Sequence, residues 1–228
     1  MKLDPDGHVV FERSTDDLGL AAWSLETVSV APDGTLWAAG ANINTGAVVA
    51  VHLTAAASLL STVALPAPAN PGLYVGGAAR VGSGGAVALS GASGPGQTAE
   101  DWDRWFAGVT STGEDRWQST TIHQAGTPWD PAQLVRVDAD GYAWVAGSLL
   151  GTLDLGAPVG VLSSTPTGSM AVLVYGPDGK VRSGTAINGV TEPFIGDIAL
   201  GADRSVVLAG WDIDTTGAGL FFVSKLGF

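Results

Sequence analysis

The sequence predicts an all-β protein, and three observations carry that prediction. Glycine supplies 33 of 228 residues without a collagen-like period, which points to many tight turns. Apolar residues alternate or run in short continuous blocks, as in strands buried on one or both faces, and none recurs at a sustained helical period. One unit, two short apolar strands around a polar turn with a closing glycine, appears four times.

The copies are residues 27–40 (TVSVAPDGTLWAAG), 78–91 (AARVGSGGAVALSG), 134–147 (LVRVDADGYAWVAG) and 197–210 (DIALGADRSVVLAG). Their final glycines, Gly40, Gly91, Gly147 and Gly210, lie 51, 56 and 63 residues apart. Asp33-Gly34 and Asp140-Gly141 are strong hairpin turns, because glycine adopts the positive φ that a short connection requires. The second copy turns at Gly84-Gly85 and the fourth at Asp203-Arg204.

A second hairpin follows each first one: 48–53 with 58–63, 105–110 with 115–120, and 171–175 with 180–185. The last, 220–226, has no partner after it. Residues 8–13 (HVVFER) follow KLDPDG, which matches the end of a third strand and its turn, so the N-terminal strand is expected to complete the last unit. The predicted architecture is a four-bladed β-propeller with four antiparallel strands per blade, closed by the two chain ends. It is read as one domain over 1–228, with blades at about 23–65, 74–121, 129–186, and 194–228 plus 8–14. An in-phase slice of a larger propeller has the same complementary ends and is the alternative.

The hairpin KLDPDGHVVFE, the strand-and-glycine endings, the segment GTLDLGAPVGVLSSTPTGSMAVLVYGPDGK and the strand FFVSKL at 221–226 together resemble the bacterial β-propeller repeats called SBBP repeats, common in myxobacterial surface proteins. The resemblance spans nearly the whole chain. It implies an extracellular or cell-surface location and supplies no catalytic residues. The sequence departs from that family at 82–85, where glycines replace the usual acidic turn, and in having four units where its arrays generally have more.

Composition excludes several function classes. A net charge of −12 and a pI near 4.3 repel phosphate backbones and anionic lipid surfaces, so no nucleic-acid partner is expected. No apolar run reaches the roughly 18–20 residues of a membrane-spanning helix, so no membrane insertion is expected. The absence of cysteine removes disulfides, thiolate metal sites and thiol nucleophiles. Met1-Lys2-Leu3-Asp4 lacks the basic and apolar regions of a secretory signal.

Turns inside the hairpins are short, whereas connections between hairpins are long: 15–26, 42–46, 65–77, 92–103, 122–133, 148–168, 187–196 and 211–219. With four antiparallel strands per blade these all emerge on one face, the expected binding face. Trp23, Tyr74, Trp129 and Phe194 stand at equivalent places before each innermost strand, where repeated aromatics more often plug gaps between blades. Trp102 in AEDWDRW and Trp211 do not recur, and each offers a flat apolar surface to a sugar ring or a partner side chain. Trp102, Trp211, Trp129 and Trp23, with Asp101 and Asp103, make the candidate ligand-binding set. Trp37 and Trp144 are read as packing between blades. Arg80 and Arg136, matched on innermost strands, are either an anion site or paired core arginines.

His8, His52 and His123 share no metal-ligand spacing, and no phosphate-binding, dinucleotide or GxSxG pattern is present, so neither metal nor cofactor is expected. Asp212-Ile213-Asp214 opens like a calcium loop, but Val223 stands where an EF-hand needs its bidentate glutamate. The expected function is a non-enzymatic, monomeric binding or scaffold domain for a protein or glycan. The alternatives are a propeller hydrolase or lyase using acids such as Asp101, Asp130, Asp197 and Asp212, and a structural module that self-associates.

Overall fold

The computed structural model describes the backbone of residues 2–31, 33–42, 44, 47–65, 73–80, 87–93, 103–109, 115–121, 132–138, 140–149, 151–188, 194–201, 203, 205–213 and 216–227. Side chains are described for 3–64 and 134–227 within those ranges, Glu26 and Phe194 excepted. Among these residues the chain is all-β, apart from one short 3-10 turn at Asp16–Leu18.

Four antiparallel sheets follow one another along the chain. Sheet A is β3 (Trp23–Val30), β4 (Leu36–Asn42), β5 (Val48–Leu53) and β6 (Leu59–Leu65), each paired with the next. Sheet B repeats this order with β7 (Leu73–Arg80), β8 (Val87–Ser93), β9 (Asp103–Val109) and β10 (Asp115–Thr121). Sheet C uses β11 (Ala132–Val137), β12 (Ala143–Leu149), β15 (Ser169–Tyr175) and β16 (Val181–Ile187). Sheet D has three strands, β17 (Phe194–Leu200), β18 (Ser205–Ile213) and β19 (Gly219–Gly227). The repeat read from the sequence is therefore the first hairpin of every sheet.

Each first strand shifts register at the same place: Leu25/Thr27, Val75/Gly77, Ala132/Leu134 and Ile195/Asp197. This bulge drives the first strand toward the closing glycine of the second. A Cβ at Gly40 would overlap the Ser24 carbonyl oxygen and lie 2.7 Å from Leu25 Cα, so the closing glycine there is a steric necessity. The Asp-Gly turns behave as expected, with φ of 81° at Gly34 and 86° at Gly141.

Consecutive sheets pack face to face through their first strands, A on B, B on C and C on D. The C–D contact is the best described. Trp144, Ala146, Met170, Val172 and Val174 of C bury against Ile195, Ile198, Val206 and Leu208 of D. Burying side chains of this size contributes about 1.5–3 kcal/mol each. The inter-sheet role expected of Trp144 follows directly, and Trp37 is fully buried on sheet A, stacked on His52 with ring centroids 4.3 Å apart.

Two segments depart from expectation. Residues 148–168, read as a binding-face loop, contain a hairpin of β13 (Thr152–Asp154) and β14 (Val161–Ser163) folded onto sheet C. Leu153, Leu155 and Leu162 cover the cluster of Val145, Leu173 and Tyr175. Gly184 leaves them room, since a Cβ there would come within 3.0–3.1 Å of the Leu173, Leu155 and Leu162 methyls.

The second departure corrects the predicted closure. The N-terminal strand does not complete sheet D: β2 (Val9–Phe11) pairs with β1 (Lys2–Leu3) as a separate two-stranded sheet. Local chemistry closes that hairpin, because Asp4 Oδ1 accepts the N–H groups of Asp6 (2.9 Å) and His8 (2.8 Å). Apolar packing then holds the segment on sheet A, where Phe11, Leu18 and Leu20 join a cluster with Ala38, Val49, Val51 and Leu53.

Candidate functional site

The sheets A to D form a series with two ends, and among the described residues no strand of D packs broadly on A. Both end faces carry apolar side chains that stand in solvent. On A, the face away from B exposes Val28 at 65% and Val30 at 71%. Their counterparts on C are Val135, only 1% exposed, and the half-buried Val137, both on a strand that sheet B packs against. On D, the face away from C exposes Phe221 at 92% and Val223 at 76%, beside Trp211 and Ile213.

Between the N-terminal segment and the open face of A lies a cleft of about 740 Å³. Its floor is Leu25, Val28, Leu36 and Leu53, and the segment contributes Phe11 and Arg13. An apolar floor with few polar groups suits aliphatic or aromatic surface and offers little to sugar hydroxyls. Isolated apolar side chains on a surface are ordinary, whereas contiguous open patches mark places of contact.

Of the predicted ligand-binding residues, Trp211 is exposed on the open face of D, in register with Phe221. Trp23 is half-buried and packs on the cluster under the N-terminal segment, the core role its recurrence suggested. Trp102, Trp129 and Asp101 lie outside the described residues, as does Asp130. Asp103 begins β9, with only its backbone described. Of the candidate binding residues, Trp23 and Trp211 are the two whose side chains are described, and the structure places them on the first and last sheets of the series.

Arg136 takes the paired alternative. Its guanidinium donates to Asp197 Oδ1 at 2.8 Å, joining C to D, and to the Val135 carbonyl at 2.9 Å. Both partners are well exposed, so the pair contributes at most about 1 kcal/mol. The same bond occupies one of the acids considered for catalysis, while Asp212 is buried within β18. Arg80 lies among residues whose side chains are not described.

One group with metal-ligand geometry escaped the sequence reading. Asp4, Asp6 and His8 bring their ligand atoms within 4.8 Å of one another, the only such group among the described residues. Its signal is the D-x-D-x-H spacing inside KLDPDGH. The structure gives the Asp4 carboxylate a turn-forming task, including a 3.2 Å contact between its Oδ2 and His8 Nδ1.

Turn carboxylates also set a pH response. Asp4, Asp17, Asp178 and Asp203 are all held below the ordinary value of 3.8, chiefly by N–H donors of His8, Ser14 and Lys180 for the first three. At Asp203 the Ser205 hydroxyl (2.6 Å) leads, followed by the Ser205 N–H and Lys225. A depressed carboxyl contributes stability that is present above its unfolded value and lost as pH falls through its folded value. Thermal unfolding is therefore expected to be insensitive to these groups near neutrality and to shift downward below about pH 4. Asp203→Asn should flatten that shift; an unchanged acid limb in the variant would remove Asp203 from the account.

No protein-family profile matches the chain, and no curated protein does. Among the described residues no helix is long and apolar enough to cross a membrane. Among solved structures, the GH43 endo-arabinanase from Bacillus licheniformis is similar over 88% of this chain and 92% of its own, with a TM-score of 0.38 and 12% sequence identity.

Proposed function

We propose that this chain is a non-enzymatic, propeller-type scaffold domain that binds a protein partner through the open apolar faces at the ends of its sheet series. The observation that carries this reading is the face of sheet D, where Phe221 and Val223 stand in solvent at positions whose counterparts in C, Met170 and Val172, are 1% and 0% exposed. A protein surface fits this face better than a glycan does. Aromatic and aliphatic side chains dominate it, and sugar recognition needs converging donors and acceptors that a row of Phe221, Val223 and Ile213 does not supply.

Photo-crosslinking tests the reading. With benzoylphenylalanine in place of Phe221, covalent adducts to protein are expected. The same probe at exposed Lys180, on the turn between β15 and β16, should give none. Equal labelling from both positions, or none from either, would overturn it.

A further inference from the structure

We propose that two copies of the chain associate end to end, the open face of sheet D in one copy docking on the open face of sheet A in the other. This rests on the protein-binding reading and names the partner. Register places Gly40, Gly147 and Gly210 at equivalent points, so residues of A, C and D can be matched one to one.

Sheet D packs on C through Ile195, Ile198, Leu200, Val206 and Leu208. The matching residues of A are Leu25, Val28, Val30, Leu36 and Ala38, all of which line the open cleft. Sheet C packs on D through Trp144, Ala146, Met170, Val172 and Val174. The matching residues of D are Val207, Ala209, Phe221, Val223 and Lys225, which form its open face. The two ends are thus the two halves of a contact the chain already makes internally, one half at each end.

The N-terminal segment leaves room for this contact. It packs on β4 and β5 of A, with Trp23 and Leu25 of β3 joining the cluster, while the β13–β14 hairpin packs on β12, β15 and β16 of C. On C, a covering hairpin and a preceding sheet coexist, because sheet B meets C at β11 and the hairpin sits farther out, against β16. On A, Trp23 and Leu25 at the start of β3 pack on the cluster that holds the N-terminal segment, whereas Val28 and Val30 farther along the strand stay exposed, so the incoming D sheet meets Val28 and Val30 with Phe11 and Leu18 still in place.

Among the described residues sheet D has three strands, with β19 at its edge and the place of a fourth strand beside it. The segment whose sequence fits that role is β2, anchored on A, with Val9 and Val10 exposed. A D sheet docked on A of the other copy brings its β19 edge to that copy's β2, which completes it between chains. Two such contacts close a pair, each heterologous and each the same.

Mass in solution decides it. At micromolar concentration the chain is expected to run as a dimer that tightens with added salt, since each copy carries a net charge of −12. Phe221→Asp and Val28→Asp should each weaken the dimer at least a hundredfold and leave the monomer folded, because both side chains are exposed within one copy. Mixing the two variants should restore dimers, since one intact D face and one intact A face remain; this outcome separates a head-to-tail contact from a symmetric D–D one. A wild-type monomer, or no recovery on mixing, overturns the proposal. If that monomer still crosslinks from position 221 to another protein, only the self-pairing fails; if it crosslinks to nothing, the protein-binding reading fails with it.

Discussion

Replacing Gly40 by alanine is expected to destabilise the fold by about 3 kcal/mol or more, at the upper end of what overpacking does. The reason is local and backbone-borne. The bulge at Leu25/Thr27 presses β3 against β4, and a new Cβ would occupy the space of the Ser24 carbonyl oxygen, with Leu25 Cα 2.7 Å away. Backbone atoms cannot rotate aside as a side-chain terminus does, so relief requires breaking the pairing at Leu25. Domains of this size are stable by roughly 5–15 kcal/mol, so the loss is a large fraction of the total. Gly196→Ala is the control, because its Cβ would find only ordinary contacts, Ala209 O at 3.6 Å and Trp211 at 4.0 Å. Urea unfolding should move the Gly40→Ala midpoint strongly and the Gly196→Ala midpoint little. Equal midpoints would mean the bulge does not approach the closing glycine.

Removing the Asp138 carboxylate should destabilise sheet C by about 2–3 kcal/mol. Asp138 Oδ1 accepts the N–H groups of Asp140 (3.0 Å) and Tyr142 (2.9 Å), and Oδ2 accepts Trp144 Nε1 at 3.0 Å. Asp138→Ala leaves the last donor buried at the C–D contact, where losing a partner weighs more than the bond itself contributes. Sheet A already shows the truncated form. Ala31 stands where C has Asp138, and Trp37 Nε1 is buried without a hydrogen-bond partner. Ala31→Asp should therefore recover up to about 1 kcal/mol, less than the loss at 138, because a carboxylate at that buried position is also desolvated. Thermal unfolding of both variants checks the pair, and a destabilised Ala31→Asp would show that the two turns are not equivalent.

Much of the fold was legible because it is built from local rules. The two-residue alternation, the Asp-Gly turns with positive φ at Gly34 and Gly141, and the closing glycines all act between residues close in sequence. These located the first hairpin of every sheet, the second hairpins of A, B and C, and the inward role of Trp144. The site was far less legible. Val28 and Val135 are the same residue at the same repeat position, yet they are 65% and 1% exposed. Nothing local distinguishes them, since the difference lies in whether a neighbouring sheet is present. Likewise 148–168 reads as a long connection on the binding face, and only the hairpin's packing on Val145 and Leu173 shows that its leucines cover sheet C.

The sequence by itself determined an all-β chain with four copies of one hairpin unit and a strongly acidic charge balance. Those follow from periodicity, turn chemistry and charge, which need no knowledge of what lies across an interface. Tertiary structure alone decided where the N-terminal strand goes and which apolar faces stay open. Phe11 packs on the cluster of Ala38, Val49 and Val51 on sheet A, while β19 pairs with β18 alone among the described residues. Burial is a property of the neighbour as much as of the residue, which is why identical repeats end as core at the middle of the series and as surface at its two ends.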